Sequence, residues 1–147
     1  MKKILFFLFL SLSAFLNANE KNNKLADLLH SFGNNGEYAQ MDSVYNLIIH
    51  EDHYKQDKLY ALNITLDYAR FLNQKGDSER ANTLLTQIRE SAIALEKFPE
   101  NTMAHQLQEI AAIATYEIAY GQWQNNQLPA ARETAEEAGR QLGKGKD

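Results

Sequence analysis

The chain has 147 residues, no cysteine, two prolines and seven glycines. Without cysteine there is no disulfide framework, no thiolate metal site, no cysteine nucleophile and no lipid attachment through cysteine. So few breakers exclude an all-β domain, which needs a turn residue roughly every 8–12 positions, and a formal net charge of −4 with no basic stripe excludes a nucleic-acid or anionic-lipid binder.

Met1, Lys2 and Lys3 form a basic start, followed by a largely apolar stretch of 13 residues from Ile4 to Leu16 and a return to polar composition at Asn17–Asn19. This order is that of a secretory signal peptide, and the apolar stretch is shorter than the roughly 20 residues of a membrane span. Residues 1–18 are therefore read as a signal cleaved after Ala18, with an uncleaved anchor as the alternative. Removing Lys2 and Lys3 leaves 13 basic against 19 acidic residues, a net charge of −6 for a single domain. The reading is a periplasmic or secreted bacterial protein, with no membrane contact after cleavage.

The mature chain, 19–142, reads as helix after helix, with 143–147 as a flexible tail. Stripes at helical spacing recur: Leu59, Leu62, Leu66, Ala69 and Leu72; Ala81, Leu85, Ile88, Ala92 and Leu95; Met103, Leu107, Ile110, Ala114 and Ile118. Asn22 or Asn23 caps the first helix and Asn101 the fifth, Gly76 ends the third, Pro99 blocks the fourth, and Pro129 suits the first turn of the sixth. These signals predict six helices near 22–33, 37–50, 54–74, 77–97, 101–125 and 128–142, forming three antiparallel pairs.

The three turns superpose. Gly36, Gly76 and Asn126 are followed by Glu37, Asp77 and Gln127. Five residues past each turn stand Met41, Ala81 and Ala131; nine past, Tyr45, Leu85 and Ala135; twelve past, Ile48, Ile88 and Ala138; seven before, Leu29, Ala69 and Ala119. Small or apolar residues at fixed offsets mark a repeat, with units 40 and then 50 residues apart.

The segment Ala69–Gln74–Lys75–Gly76–Asp77 with Ala81, and Leu128 with Ala130–Ala131, resembles the tetratricopeptide repeat family. Longer spacings, the missing closing proline after the first pair, Met41 in place of a small residue and Gln122 in place of an aromatic or leucine mark a degenerate, long-helix variant. The resemblance implies an all-α, antiparallel helix-hairpin stack of about three pairs, whose first helices line a groove six and two residues before each turn. Those positions hold His30, Arg70 and Tyr120, then Asn34, Gln74 and Gln124, with Asn63, Asn73, Tyr116 and Trp123 close by. Carboxamides both donate and accept, so such a row suits an extended peptide backbone. Tyr116, Tyr120 and Trp123 fall on one helix face as an aromatic anchor or, alternatively, as core packed under the last helix. The carboxamides have their own alternative as ordinary solvated residues, since Asn and Gln together number 23.

Catalytic and metal signatures are missing from the sequence. His50 and His53 at i, i+3 supply two potential ligands and no third, and Tyr54 stands where HExxH would need histidine. No serine sits in a G-x-S-x-G turn, Gly33–Gly36 lacks the length and Lys of a phosphate loop, and Glu133, Glu136 and Glu137 form a solvated face. The expected function is a non-enzymatic interaction module, without cofactor or metal, that binds a protein or peptide of the cell envelope. A periplasmic immunity protein that occludes a toxin is the first alternative, and a metal-binding or hydrolytic protein the second. A short stack with an uncovered end helix is also a candidate for self-association.

Overall fold

The computed structural model describes residues 18–98 and 102–143, and every regular element among them is helical. Residues 1–17 of the expected signal 1–18, the stop at Pro99, the cap at Asn101 and residues 144–147 of the expected tail 143–147 lie outside the described residues. Seven helices follow in order: α1 Ala18–Asn34, α2 Tyr38–Ile48, α3 Asp52–Gln56, α4 Lys58–Lys75, α5 Ser78–Glu96, α6 Ala104–Gln124 and α7 Leu128–Gly143. α1 packs on α2 and α4, α3 on α4, α4 on α5 and α6, and α6 on α5 and α7.

The residues read as turns are the ones whose backbone is left-handed. Gly36, Gly76 and Asn126 have φ of 73°, 88° and 59°. Each ends its helix with the same two hydrogen bonds. The following residue donates to the carbonyl five back (Glu37 to Phe32, Asp77 to Leu72, Gln127 to Gln122), and the turn residue donates to the carbonyl three back (Gly33, Asn73, Trp123), all at 2.8–3.1 Å. This double closure satisfies carbonyls that the helix end would leave unpaired. The next helix then starts identically, with Met41, Ala81 and Ala131 donating to Glu37, Asp77 and Gln127. The residues five and twelve past each turn and seven before it are buried in all three pairs. Nine past, Tyr45 and Leu85 are buried, whereas Ala135 is exposed.

Two boundaries differ from expectation. α1 begins at Ala18, so Asn22 is buried inside the helix instead of capping it. The helix expected over 54–74 is divided, because Asp57 takes an extended conformation and its carboxylate accepts the Tyr60 N–H at 2.9 Å, ending α3 and capping α4.

α2 meets α4 through rings and hydroxyls. Tyr45 stacks on Tyr68 at 3.8 Å between centroids, and both Tyr45 and Tyr54 share the Thr65 hydroxyl. The Tyr68 hydroxyl donates to Asp42 at 2.7 Å and accepts from Arg80, which also pairs with Asp77. Burial, then neighbouring phenols, raises Tyr45 well above the ordinary tyrosine value despite its bond to Thr65. Burial, then the bond to Asp42 and its charge, does the same to Tyr68 despite Arg80. Both folded phenols hold their protons more tightly than unfolded ones. Their contribution to stability is therefore complete below about pH 10, the unfolded value, and is lost as pH rises beyond it.

Absorbance at 295 nm should accordingly show Tyr45 and Tyr68 ionising only together with the loss of helical circular dichroism, a step that Tyr68→Phe reduces. Complete ionisation of both phenols with helicity intact contradicts the assignment.

Gly33 lies beneath the Phe71 ring, and a Cβ there would stand 2.6 Å from ring carbons. Alanine usually stabilises a helix interior by about 1 kcal/mol over glycine, but here overpacking of about 1–3 kcal/mol opposes it. Gly33→Ala is expected to lower the thermal midpoint, while Gly139→Ala, with nothing within 4 Å of the added carbon, is expected to raise it.

Candidate functional site

Once the turns fix the register, the residue six before each turn meets the next pair's acid nine before its own turn. His30 on α1 shares a 2.8 Å hydrogen bond with Asp67 on α4. Arg70 on α4 donates Nε to Glu117 Oε1 on α6 at 3.0 Å. Glu117 is buried, and Asn73 adds an Nδ2 bond to its backbone carbonyl at 2.9 Å. A buried carboxylate needs such donors, because its desolvation is otherwise uncompensated. In the third pair the corresponding position is Tyr120, which stacks on Trp123 at 5.8 Å.

These contacts change the roles of several residues expected to line a groove. His30 and Arg70 spend their polar atoms on the next helix while remaining about half exposed. Asn73 is only 1% exposed, because the apolar faces of α4 and α6 close over it, and it is a helix–helix contact and not a partner contact. Asn63 is exposed and bonds to the Leu59 carbonyl of its own helix. Asn34, Gln74 and Gln124 are all exposed at the same offset, with Gln124 accepting from Ser78 at 3.3 Å. Tyr116 and Trp123 are largely exposed, so they do not close the core under α7. His50 and His53 do not share a helix: α2 ends at Ile48, His50 binds the Asn46 carbonyl and His53 packs on Tyr60. Among the described residues no group of three or more His, Cys, Asp or Glu is placed to hold a metal, and no helix is long and apolar enough to cross a membrane.

Two clefts were not visible in the sequence. The larger, about 420 Å³, lies between α3, α4 and α5, with apolar walls that include Leu62, Leu84, Ile88 and Leu95 and two lysines, Lys55 and Lys58. It shares none of the residues chosen from the sequence, and the break at Asp57 that sets α3 beside α4 is the signal that would have found it. The smaller, about 210 Å³, lies between α5 and α6 and is lined by Asn73, Asn82, Glu117, Gln122 and Asn125 among others. Asn73 Oδ1 and Gln122 Oε1, on two of its lining residues, are buried without hydrogen-bond partners.

No protein family, curated protein or solved structure matches the chain. Its function is therefore argued from its own geometry.

Arg70→Ala would leave the buried Glu117 carboxylate without its charged donor. Because Arg70 itself is half exposed, the expected cost is about 1–2 kcal/mol, read as a lower urea midpoint at neutral pH. An unchanged midpoint would mean that solvent screens the pair and that it does not hold α4 to α6.

Proposed function

We propose that the chain is an exported, non-enzymatic interaction module of the tetratricopeptide-like kind, which presents a row of carboxamides to an extended segment of a protein in the bacterial periplasm. Three antiparallel helix pairs, α1–α2, α4–α5 and α6–α7, would form its stack. The observation that carries the reading is the coincidence of three features at fixed offsets from the turns, two of them at all three turns and the donor–acid contact at the first two. These are the identical left-handed helix end, the cross-helix donor–acid contact that ties one pair to the next, and an exposed carboxamide two residues before the turn. The first two build a rigid spacing and use up His30, Arg70 and Asn73. The third, Asn34, Gln74 and Gln124, stays exposed and offers donors and acceptors to a peptide backbone, although the Gln124 carbonyl oxygen is shared with the Ser78 hydroxyl.

Captures from envelope extract, identified by mass spectrometry, test this. The triple variant Asn34→Ala/Gln74→Ala/Gln124→Ala should keep its thermal midpoint and lose the main partner; capture at full strength would rule out the carboxamide row. Export is checked separately, by fractionation and by an N-terminus at Asn19 in the mature protein.

The apolar cleft with Lys55 and Lys58 favours a second reading, in which the partner inserts an acidic amphipathic helix. Leu84→Glu would then remove capture and the triple variant would not.

A further inference from the structure

The third helix pair repeats the second at an offset of 50 residues, and the two can be compared position by position. Leu66, Asn73, Ser78, Leu85 and Ala92 form one face of α4 and α5 and are each at most 6% exposed. α6 sits on this face: Asn73 bonds to the Glu117 carbonyl, Ser78 to Gln124, and Leu85 lines a cleft with Ile118 and Gly121. Fifty residues on stand Tyr116, Trp123, Leu128, Ala135 and Leu142. Four of these are more than half exposed, and Ala135 is exposed as well. α6 and α7 thus offer a face of the shape that receives a further helix, and among the described residues none lies on it. Two polar positions of the covered face become large and apolar on the open one, Asn73 to Trp123 and Ser78 to Leu128, while Leu66 becomes Tyr116 and Leu85 becomes Ala135.

The opposite end of the molecule is different. On α1, the positions that correspond to Asp67 and Phe71 of α4, and to Glu117 and Gly121 of α6, are Asp27 and Ser31, with Lys24 one turn before. All three are exposed and polar. One end is finished as a solvent face and the other is not, as in repeat stacks whose terminal faces must be polar or covered.

We propose that a second copy of this chain covers the α6–α7 face, joining two molecules end to end about a two-fold axis. Head-to-tail stacking would set Trp123 and Leu142 against the charged α1 face, whereas a two-fold pairing sets apolar against apolar and leaves both outer ends polar. Such an interface must be its own complement. The charges that flank it meet this condition: Arg132 and Glu136, exposed and one turn apart on α7, balance to zero and can cross-pair with the second copy's Glu136 and Arg132. Tyr and Trp at the centre with Arg at the edge is also the residue set that dominates protein interfaces. The inference is independent of whether the carboxamide row binds a partner.

Trp123 is the only tryptophan, so its emission reports this face directly. Over about 1–100 μM, the range in which an interface of moderate affinity dissociates, light scattering should pass from monomer to dimer mass. Trp123 emission should shift to the blue over the same range. Leu142→Glu should hold the protein at monomer mass with red-shifted emission and unchanged far-ultraviolet dichroism. Arg132→Glu should weaken the dimer about ten-fold or more, and Arg132→Glu/Glu136→Arg should restore it; both residues are exposed, so folding is not at stake. A monomer with solvent-exposed emission throughout the range overturns the proposal. So does a mass that keeps growing with concentration, a dimer that persists in Leu142→Glu, or a double charge exchange that fails to restore association.

Discussion

A left-handed residue at three helix ends is the constraint from which the rest of the molecule is built. A side chain pays for this conformation in steric clash with its own backbone, so glycine takes two of the positions and Asn126, whose short polar side chain tolerates it, takes the third. Because each end closes with the same pair of hydrogen bonds, the rotation of the next helix about its axis is set to within a residue. That rotation puts Met41, Ala81 and Ala131 into the core and decides which residues face forward and which face back. A shift of one position would take Arg70 off Glu117 and His30 off Asp67.

The polar contacts between pairs then act as selectors of register more than as sources of stability. A salt bridge with a half-exposed arginine contributes little net energy, but a buried Glu117 left unsatisfied costs several times more. Misaligned packings of α4 on α6 are penalised accordingly. The tyrosine junction between α2 and α4 has the same character. The Tyr68 hydroxyl lies between an acceptor on α2, Asp42, and a donor on α5, Arg80, so three helices must arrive together for it to be satisfied.

Much of this was legible in the sequence, for identifiable reasons. Gly36, Gly76 and Asn126 stand out because turn chemistry is local, and the buried offsets follow from apolar spacing alone. The break at Asp57 goes unmarked because no glycine or proline stands there, and an aspartate cap inside a helical run is visible only from its bond to the Tyr60 N–H. Asparagine favours a helix cap, so Asn22 or Asn23 reads as one, yet both lie inside α1, where Asn22 is buried by packing. The links His30–Asp67 and Arg70–Glu117 join residues 37 and 47 apart, and no local pattern indicates such a pairing until helix rotation is known. The aromatic residues of α6 stand out as a set, but whether they lie in a groove, in the core or on an open face depends on which helices pack against α6.

The stacking of Tyr45 on Tyr68 carries a dynamic consequence. Contacts among the described helices run chiefly between neighbours along the chain. α1 and α2 join α4 and α5 through His30, Gly33, the two stacked rings and the Asp42–Tyr68–Arg80 link, a narrower seam than the long flank of α5 against α6. Native-state opening therefore has a direction: the N-terminal pair detaches as a unit while α5, α6 and α7 remain folded, and backbone amides exchange with solvent in that order.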